Sequence, residues 1–335
     1  MHHYAKLLTA AADAVTLAGN VCRQVQRSLD QVRAITKDDK SPVTVADLAS
    51  QAIVAKSLRE HLGDFVLVGE EDSGFLRDPA NAAHLAATVE AVRCVWPEAT
   101  EGDVLEAIDV GQGAPNANGF WTLDPVDGTK GFLRGQQYAV SLCFIDGGQP
   151  SVGALGCPNL PRDFSAPLDE ADPHGCLYTS IRGQGAYERA LDDRGQKPIK
   201  ITRLDHDPSQ PISVCASVEK GHSNVSDTDR ILEFVGKAGE PARLDSQAKY
   251  AVVARGQADA YLRLPTKKDY VERIWDHAAG ALVATEAGAS VTDIFGRDLD
   301  FSHGRGLSKN SGIVCAAPRV HGLMIKAIEK LGIGK

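Results

Sequence analysis

Residues 119–189 contain a series of short apolar segments separated by turn residues, and no other part of the chain restricts the possible folds as strongly. Glycine-rich groups such as Asp146-Gly147-Gly148 indicate tight turns. Short segments joined by such turns usually pair as an antiparallel sheet. We therefore predict a sheet in the middle of the chain, with strands at residues 119–123, 137–145, 151–156, 176–181 and 185–189.

Helical patterns precede this sheet. Apolar side chains recur at helical spacing through residues 4–33, which predicts a long amphipathic helix. A second helix is expected to begin near Thr44, because Asp47 three residues later gives a start like a capping box. The rest of this part is expected to hold a strand at 65–68, a helix at 80–94 and loops up to 118.

The pattern of the chain changes near residue 205. Strands are expected at 212–217, 258–263 and 312–316, and helices at 226–236, 246–256 and 276–287. Alternation of this kind favours a mixed α/β arrangement. We therefore predict two halves, an N-terminal α+β half at residues 1–205 and a C-terminal α/β half at residues 206–335.

Composition excludes several classes of protein. The formal net charge of the 335 residues is −8 and there is no basic run, which argues against a nucleic-acid polymer as partner. No apolar run reaches about 18 residues and the N-terminus lacks a signal-peptide layout, so we expect a cytoplasmic protein without a membrane partner. The seven cysteines form no C-x-x-C pair, so neither a disulfide framework nor structural zinc is expected.

The run Asp124-Pro125-Val126-Asp127-Gly128-Thr129 follows an apolar strand and carries the clearest chemical signal. Because proline has no backbone N–H, we expect the strand to end at Pro125 and the turn to bring Asp127 beside Asp124. Paired carboxylates suit hard divalent cations, and the N–H groups of Gly128 and Thr129 could bind a phosphate. A lone Asp-x-x-Asp more often only stabilises a turn, but the complete run is far more specific.

Three further acidic sites stand at the expected ends of elements. Asp47 could simply stabilise a helix start, Glu70 could belong to a solvated acidic face, and Asp276 could cap a helix. Each of these ordinary interpretations is sound when its residue is considered alone. Open α/β folds, however, gather ligands at such ends, so the four sites together favour one shared centre.

With these motifs, the sequence resembles the lithium-sensitive, magnesium-dependent phosphatases of the inositol monophosphatase and fructose-1,6-bisphosphatase superfamily. Its general signatures are Gly69-Glu70-Glu71, the run from Trp121 to Thr129, and the run from Trp275 to Gly280. Within the superfamily the chain is most similar to the 3′(2′),5′-bisphosphate nucleotidases. The segments that carry this similarity are Ser41–Asp47, Gly131–Gly135, Gly156–Asn159, Val218–Ser223, Leu244–Tyr250 and Tyr261–Pro265.

The resemblance implies a layered α-β-α-β-α sandwich with the active site between its two halves, and it assigns roles residue by residue. Asp47 matches the acid that helps to activate the attacking water, with Thr129 as its hydrogen-bonding partner. The residues that match ligands of two or three Mg²⁺ ions are Glu70, Asp124, the Val126 carbonyl, Asp127 and Asp276. Those that match contacts to the nucleotide are His222, Ser246, Lys249 and Arg263, and the N–H groups of Gly128 and Thr129 are expected to add contacts to its phosphate. No catalytic position departs from the pattern.

Three of the nucleotide contacts also have a physical argument. Ser246 and Lys249 are three residues apart on an expected helix, so they would share a face. Lys249 and Arg263 would supply the positive charge that an acidic protein otherwise lacks for a second phosphate.

The implied reaction is hydrolysis of the 3′-phosphate of 3′-phosphoadenosine 5′-phosphate to AMP, in sulfur metabolism. Separately, we expect a monomer. The sulfated form, 3′-phosphoadenosine 5′-phosphosulfate, is a further candidate substrate. An inositol polyphosphate 1-phosphatase or an inositol monophosphatase is the alternative with the same chemistry. An inactive nucleotide-binding sensor is the alternative from another class, and it predicts that one of the five acids would be missing.

Overall fold

A computed structural model describes residues 2–32, 41–203, 205–218, 225–236, 238–265, 267 and 270–334, without the side chains of 2, 29–32, 41–43, 225 and 226. The helices are α1 (His2–Val32), α2 (Ser41–Leu62), α3 (Gly74–Arg77), α4 (Ala82–Arg93), α5 (Glu101–Asp109), α6 (Thr129–Arg134), α7 (Val225–Val235), α8 (Ala248–Ala254), α9 (Ala278–Ala287) and α10 (Pro318–Leu331).

The strands form two sheets. The first sheet contains β1 (Leu67–Gly69), β2 (Phe120–Asp127), β3 (Ala139–Asp146), β4 (Gln149–Cys157), β5 (Cys176–Ile181), β6 (Gly185–Ala190) and β7 (Ile199–Ile201). They lie in chain order, with β1 parallel to β2 and each later pair of neighbours antiparallel. The antiparallel sheet predicted for the middle of the chain is therefore confirmed.

The second sheet contains β8 (Val214–Ala216), β9 (Ala242–Arg243), β10 (Ala260–Arg263), β11 (Ser290–Thr292) and β12 (Ile313–Ala316). Its order is β11-β12-β10-β8-β9, and it mixes parallel with antiparallel pairs. The predicted boundary near residue 205 falls between the last strand of the first sheet and the first strand of the second, and it stays a prediction.

Helices cover both sheets and also separate them. One face of the first sheet packs on α1 and α2. The buried positions of α1 recur at helical spacing, whereas α2 is buried on all sides over residues 45–55. The helices α8 and α9 lie between the sheets, and α9 is apolar on all sides and rich in alanine, which suits a helix enclosed by two layers. The outer face of the second sheet packs on α7 and α10. This order of layers is the predicted α-β-α-β-α sandwich.

Two expected element boundaries are wrong. Helix α2 begins at Ser41 rather than near Thr44, since Pro42 is well tolerated in a first turn. Asp47 therefore lies inside the helix and has no capping role. Strand β2 does not end at Pro125 but continues to Asp127, because an irregularity in its pairing removes the need for an N–H there.

Some helices were not expected from the sequence. Helix α5 occupies part of the segment expected to be loops after residue 94, and Thr100 and Asp103 form its capping box. Helix α10 begins with Pro318 and is followed by Gly332, which adopts a left-handed conformation. None of the helices in the described ranges combines the length and the hydropathy that a membrane span requires.

Candidate active site

A cleft of about 540 Å³ opens where β1 and β2 end, and α8 and β10 form its opposite wall. Glu70 directly follows β1 and Asp127 is the last residue of β2. The carboxyl ends of neighbouring parallel strands are a usual location for ligand sites. The residues that line the cleft are Thr44, Glu70, Asp124, Val126, Asp127, Gly128, Thr129, Lys130, Leu133, Ser217, Asp245, Ser246, Gln247, Lys249, Tyr261, Arg263, Tyr270 and Asp276.

A bulge in β2 brings two of these carboxylates to one side of the sheet. Between Asp124 and Asp127 the strand advances three residues, whereas its partner β3 advances only two, from Ser141 to Ala139. Residues three apart in a regular strand point to opposite faces, and one extra residue restores them to the same face. The Ser50 hydroxyl donates a hydrogen bond of 2.9 Å to the Pro125 carbonyl in this bulge. The bulge, rather than a strand end, therefore places Asp127 beside Asp124.

The turn after β2 requires glycine. Gly128 has φ 88°, in the left-handed region, and it precedes helix α6, which Thr129 begins. A Cβ atom at Gly128 would lie 2.7 Å from Cβ of Ser246, which is closer than real Cβ contacts. The absence of a side chain at Gly128 thus allows the two halves of the chain to meet at the floor of the cleft.

Four carboxylates from both halves lie close together in the cleft. Asp124 is buried, Asp127 and Asp276 are half-buried, and Glu70 is exposed towards the cleft although protein surrounds its other sides. Burial and then repulsion from Glu71 and Asp127 raise the pKa of Glu70 to about 7. The pKa of Asp124 and that of Asp276 also lie well above their usual range, chiefly because of burial and then of the neighbouring carboxylates. Carboxylates crowded in this way favour a partner of opposite charge.

The donor set fits a hard divalent cation. Oδ1 of Asp124 is buried and has no hydrogen-bond partner within the described ranges, which is unusual for a buried polar atom. Glu70, Asp127 and Asp276 add carboxylate oxygens, and Val126 also lines the cleft. Oxygen donors of this kind suit Mg²⁺ rather than softer metals.

A second group of possible ligands lies behind Asp276 but is already paired. Donor atoms of Glu272, Asp276 and His277 lie within 4.8 Å of one another. Glu272 Oε2, however, accepts hydrogen bonds from Arg263 Nε at 2.8 Å and from His277 Nε2 at 3.1 Å. Although burial alone would raise the pKa of Glu272, the bond from His277 and the charge of Arg263 hold it at about 2. We therefore assign only Asp276 to the candidate cation site.

Asp47 lies next to the cluster, on the buried side of α2. Burial and then the charges of Glu71 and Glu70 raise the pKa of Asp47 well above its usual range. Among the described residues no hydrogen bond joins Asp47 to Thr129, so their pairing stays a prediction.

The opposite wall of the cleft is cationic. Lys249 is 6% exposed, and its Nζ lies 3.4 Å from Ser217 Oγ and 5.2 Å from the ring centre of Tyr261. Burial lowers the pKa of Lys249. Arg263 faces the same space from β10, with Nη2 3.9 Å from Asp276 Oδ2. Positive groups thus face the acidic cluster, and Arg263 lies within ion-pair distance of one of its members.

The structure corrects the expected position of Ser246. This residue is not on a helix, because α8 begins at Ala248, and it adopts a left-handed backbone with φ 68°. Its hydroxyl accepts a hydrogen bond of 3.2 Å from the Ala248 N–H. Ser246 and Lys249 therefore line the cleft from a turn and a helix respectively, rather than from one helix face. His222, the remaining expected contact to nucleotide, lies outside the described residues.

Sequence reasoning did not single out several residues of the cleft. Asp245 pairs with Arg134 of α6, and Gln247 donates its backbone N–H to Asp127. Both belong to the segment Leu244–Tyr250 that carried the family resemblance, and that membership was the available signal. Ser217 and Tyr270 had no comparable signal because neither stands in a chemically distinctive pattern.

Comparison with known proteins now decides the family. A model of the inositol monophosphatase family matches residues 3–332. The chain belongs to this family. A Schizosaccharomyces pombe relative named 3′(2′),5′-bisphosphate nucleotidase is 41% identical over 333 residues, which cover 96% of this chain and 92% of the relative. An Arabidopsis thaliana relative named 3′(2′),5′-bisphosphate nucleotidase 1 is 42% identical over 97% of this chain and 96% of its own. The resemblance predicted from the sequence is thereby confirmed.

Solved structures show the same fold. The inositol monophosphatase from Anabaena (Nostoc) sp. superposes with a TM-score of 0.62, covering 98% of this chain and 97% of that chain at 19% identity. Mycobacterium tuberculosis SuhB superposes with a TM-score of 0.59, covering 99% and 98% at 21% identity. At these identities the superpositions support the layered architecture of the family and nothing narrower.

Proposed function

We propose that this protein is a Mg²⁺-dependent phosphatase that removes the 3′-phosphate of 3′-phosphoadenosine 5′-phosphate and yields AMP. The observation that carries the proposal is a single cleft with an acidic cluster on one wall and buried positive charge on the other. The names of the relatives that match nearly the whole chain support the same substrate.

The acidic wall supplies the chemistry. Glu70, Asp124, Asp127 and Asp276, with the Val126 carbonyl, would hold the cation. When bound, such a cation makes a coordinated water more acidic and offsets charge on phosphoryl and leaving oxygens. Asp47 accepts the proton of the attacking water, and Thr129, as its hydrogen-bonding partner, helps to orient that water. The N–H groups of Gly128 and Thr129 donate to the phosphoryl oxygens.

The cationic wall selects the substrate. In the described part of the chain no carboxylate lies within ion-pair distance of Lys249, whereas Arg263 is already engaged by Glu272 at 2.8 Å. Lys249 is therefore the cation better able to take a second phosphate. Arg263, fixed by Glu272, contributes a directed guanidinium rather than free charge. The 5′-phosphate would be a handle that is bound but not cleaved.

Replacing the Lys249 ammonium tests this division of labour. Hydrogen bonds to charged groups typically contribute about 1.5–3 kcal/mol, so Lys249→Met should lower kcat/KM for 3′-phosphoadenosine 5′-phosphate roughly 10–100-fold. On 3′-AMP, which lacks the 5′-phosphate, Lys249→Met should have the same kcat/KM as the wild-type protein. Lys56→Met is a matched control, since Lys56 lies on α2 and pairs with Glu60. Equal losses on both substrates would show that Lys249 does not bind the second phosphate.

The alternative of an inactive nucleotide-binding sensor predicts that one of the five acidic residues is missing, and all five are present. Glu70, Asp124, Asp127 and Asp276 line the cleft and Asp47 lies beside them, which supports a catalytic role over that of an inactive sensor. Hydrolysis of the sulfated nucleotide, lithium inhibition, the cytoplasmic location and the monomeric state stay predictions.

A further inference from the structure

Gln247 forms hydrogen bonds to the segments that carry Asp127 and Asp276, although its neutral amide is neither an acid nor a base. It is 2% exposed and lies between the left-handed Ser246 and the start of α8. Its backbone N–H donates to Oδ2 of Asp127 at 2.5 Å. This bond fixes the Asp127 carboxylate against the turn before α8.

The side-chain amide of Gln247 holds the segment that carries Asp276. Nε2 donates to the Trp275 carbonyl at 2.8 Å, and Oε1 accepts from the Gly280 N–H at 3.1 Å. These two backbone groups flank Asp276 on either side. A Cβ atom at Gly280 would lie 2.3 Å from the Tyr250 ring and 3.1 Å from Oε1 of Gln247. The close approach of α8 to α9 thus depends on glycine and brings the amide within reach.

A third contact reaches the strand opposite Asp124. The Ser141 hydroxyl lies 3.1 Å from Gln247 Oε1 and 3.4 Å from the Trp275 carbonyl. Ser141 of β3 pairs directly with Asp124 of β2. One buried glutamine is therefore hydrogen-bonded to Asp127 and to the backbone around Asp276, and through Ser141 it contacts the strand next to Asp124.

We propose that Gln247 is a positioning residue that sets the spacing of Asp127 and Asp276 and thereby the affinity of the cleft for a divalent cation. The inference rests on the proposed cation site. Partners that orient metal ligands typically change affinity 10–100-fold when they are lost. A glutamine that only filled the core would instead affect stability and leave cation affinity unchanged.

Gln247→Met tests the proposal, because methionine keeps the volume and removes every side-chain hydrogen bond. Asn310→Leu is the matched control: Asn310 also bridges a backbone carbonyl and an N–H, of Asp298 and Asp300, but does not line the cleft. Mn²⁺ and Mg²⁺ binding to each full-length protein is measured by calorimetry without substrate. Thermal unfolding in EDTA reports stability separately.

The expected result is an affinity for Mn²⁺ and Mg²⁺ at least about tenfold weaker in Gln247→Met and unchanged in Asn310→Leu. The Mg²⁺ concentration for half-maximal activity should rise by a similar factor, with kcat largely recovered at saturating Mg²⁺. Affinity within twofold of wild type in a folded Gln247→Met protein overturns the proposal. Wild-type protein that binds neither ion overturns both this proposal and the proposed function.

Ser141→Ala provides a second route in case Gln247→Met does not fold. It removes only the hydroxyl that contacts Oε1, and we expect a cation affinity reduced by less than in Gln247→Met. If both variants fold, their effects on affinity should be less than additive, because they disrupt one network. Unchanged affinity in Ser141→Ala together with an unfolded Gln247→Met would count against the proposal, since a purely structural glutamine predicts that combination.

Discussion

At the scale of single residues, Asp127 interacts with both the acidic and the cationic side of the cleft. Its carboxylate accepts the Gln247 N–H and faces the charge of Lys249, and it also raises the pKa values of Glu70 and Asp276. The residue is thus held in place by the second half of the chain while it repels its acidic neighbours. Such crowding destabilises the protein without a cation and becomes favourable once a cation binds.

Replacing Asp127 should separate activity from folding. In Asp127→Asn the amide oxygen can still accept the Gln247 N–H, but one ligand charge and its repulsion of Glu70 are lost. We expect phosphate release in Mg²⁺ to fall about 100-fold or more, and the melting temperature in EDTA to equal or exceed that of wild type. Near-normal turnover with Mg²⁺ would contradict the assignment of Asp127 to the cation site.

At the scale of elements, the bulge in β2 is what the sequence could not reveal. The run from Asp124 to Asp127 correctly indicated two neighbouring carboxylates, but Pro125 was expected to end the strand. Proline lacks a donor in a bulge as well as at a strand end, so local sequence does not distinguish the two. The prediction that Ser246 lies on a helix was wrong for a related reason. Ser246 adopts a left-handed backbone conformation, and helix α8 begins only after it, at Ala248.

The bulge itself can be tested through Ser50, which is fully buried and donates to the Pro125 carbonyl at 2.9 Å. Ser50→Ala leaves that buried acceptor unpaired, and this typically costs about 1–3 kcal/mol. Urea unfolding should show the loss. Ser28→Ala, which removes an exposed hydroxyl bonded to the Gln24 carbonyl on α1, should leave stability nearly unchanged. Equal stability of both variants would show that the Ser50 contact does not stabilise the bulge.

At the scale of the whole molecule, the site exists only where the layers meet. Asp124 and Asp127 come from the first sheet, whereas Asp276 precedes a helix packed between the sheets. The layered fold and the residues facing the cleft followed from the sequence largely through the family resemblance, because strand order across two sheets depends on long-range packing. The links that Gln247 makes between the halves depend on the same packing, so no local pattern could indicate them.

The most direct test of the central claim is a comparison of kcat/KM for the purified protein across phosphate substrates in Mg²⁺. The substrates are 3′-phosphoadenosine 5′-phosphate, inositol 1-phosphate, inositol 1,4-bisphosphate and fructose 1,6-bisphosphate, each also assayed in EDTA and with Li⁺. We predict the highest kcat/KM on the nucleotide, with AMP as product, loss of activity in EDTA and inhibition by Li⁺. A higher kcat/KM on any of the other three substrates, or no Mg²⁺-dependent phosphate release at all, would contradict the proposed function.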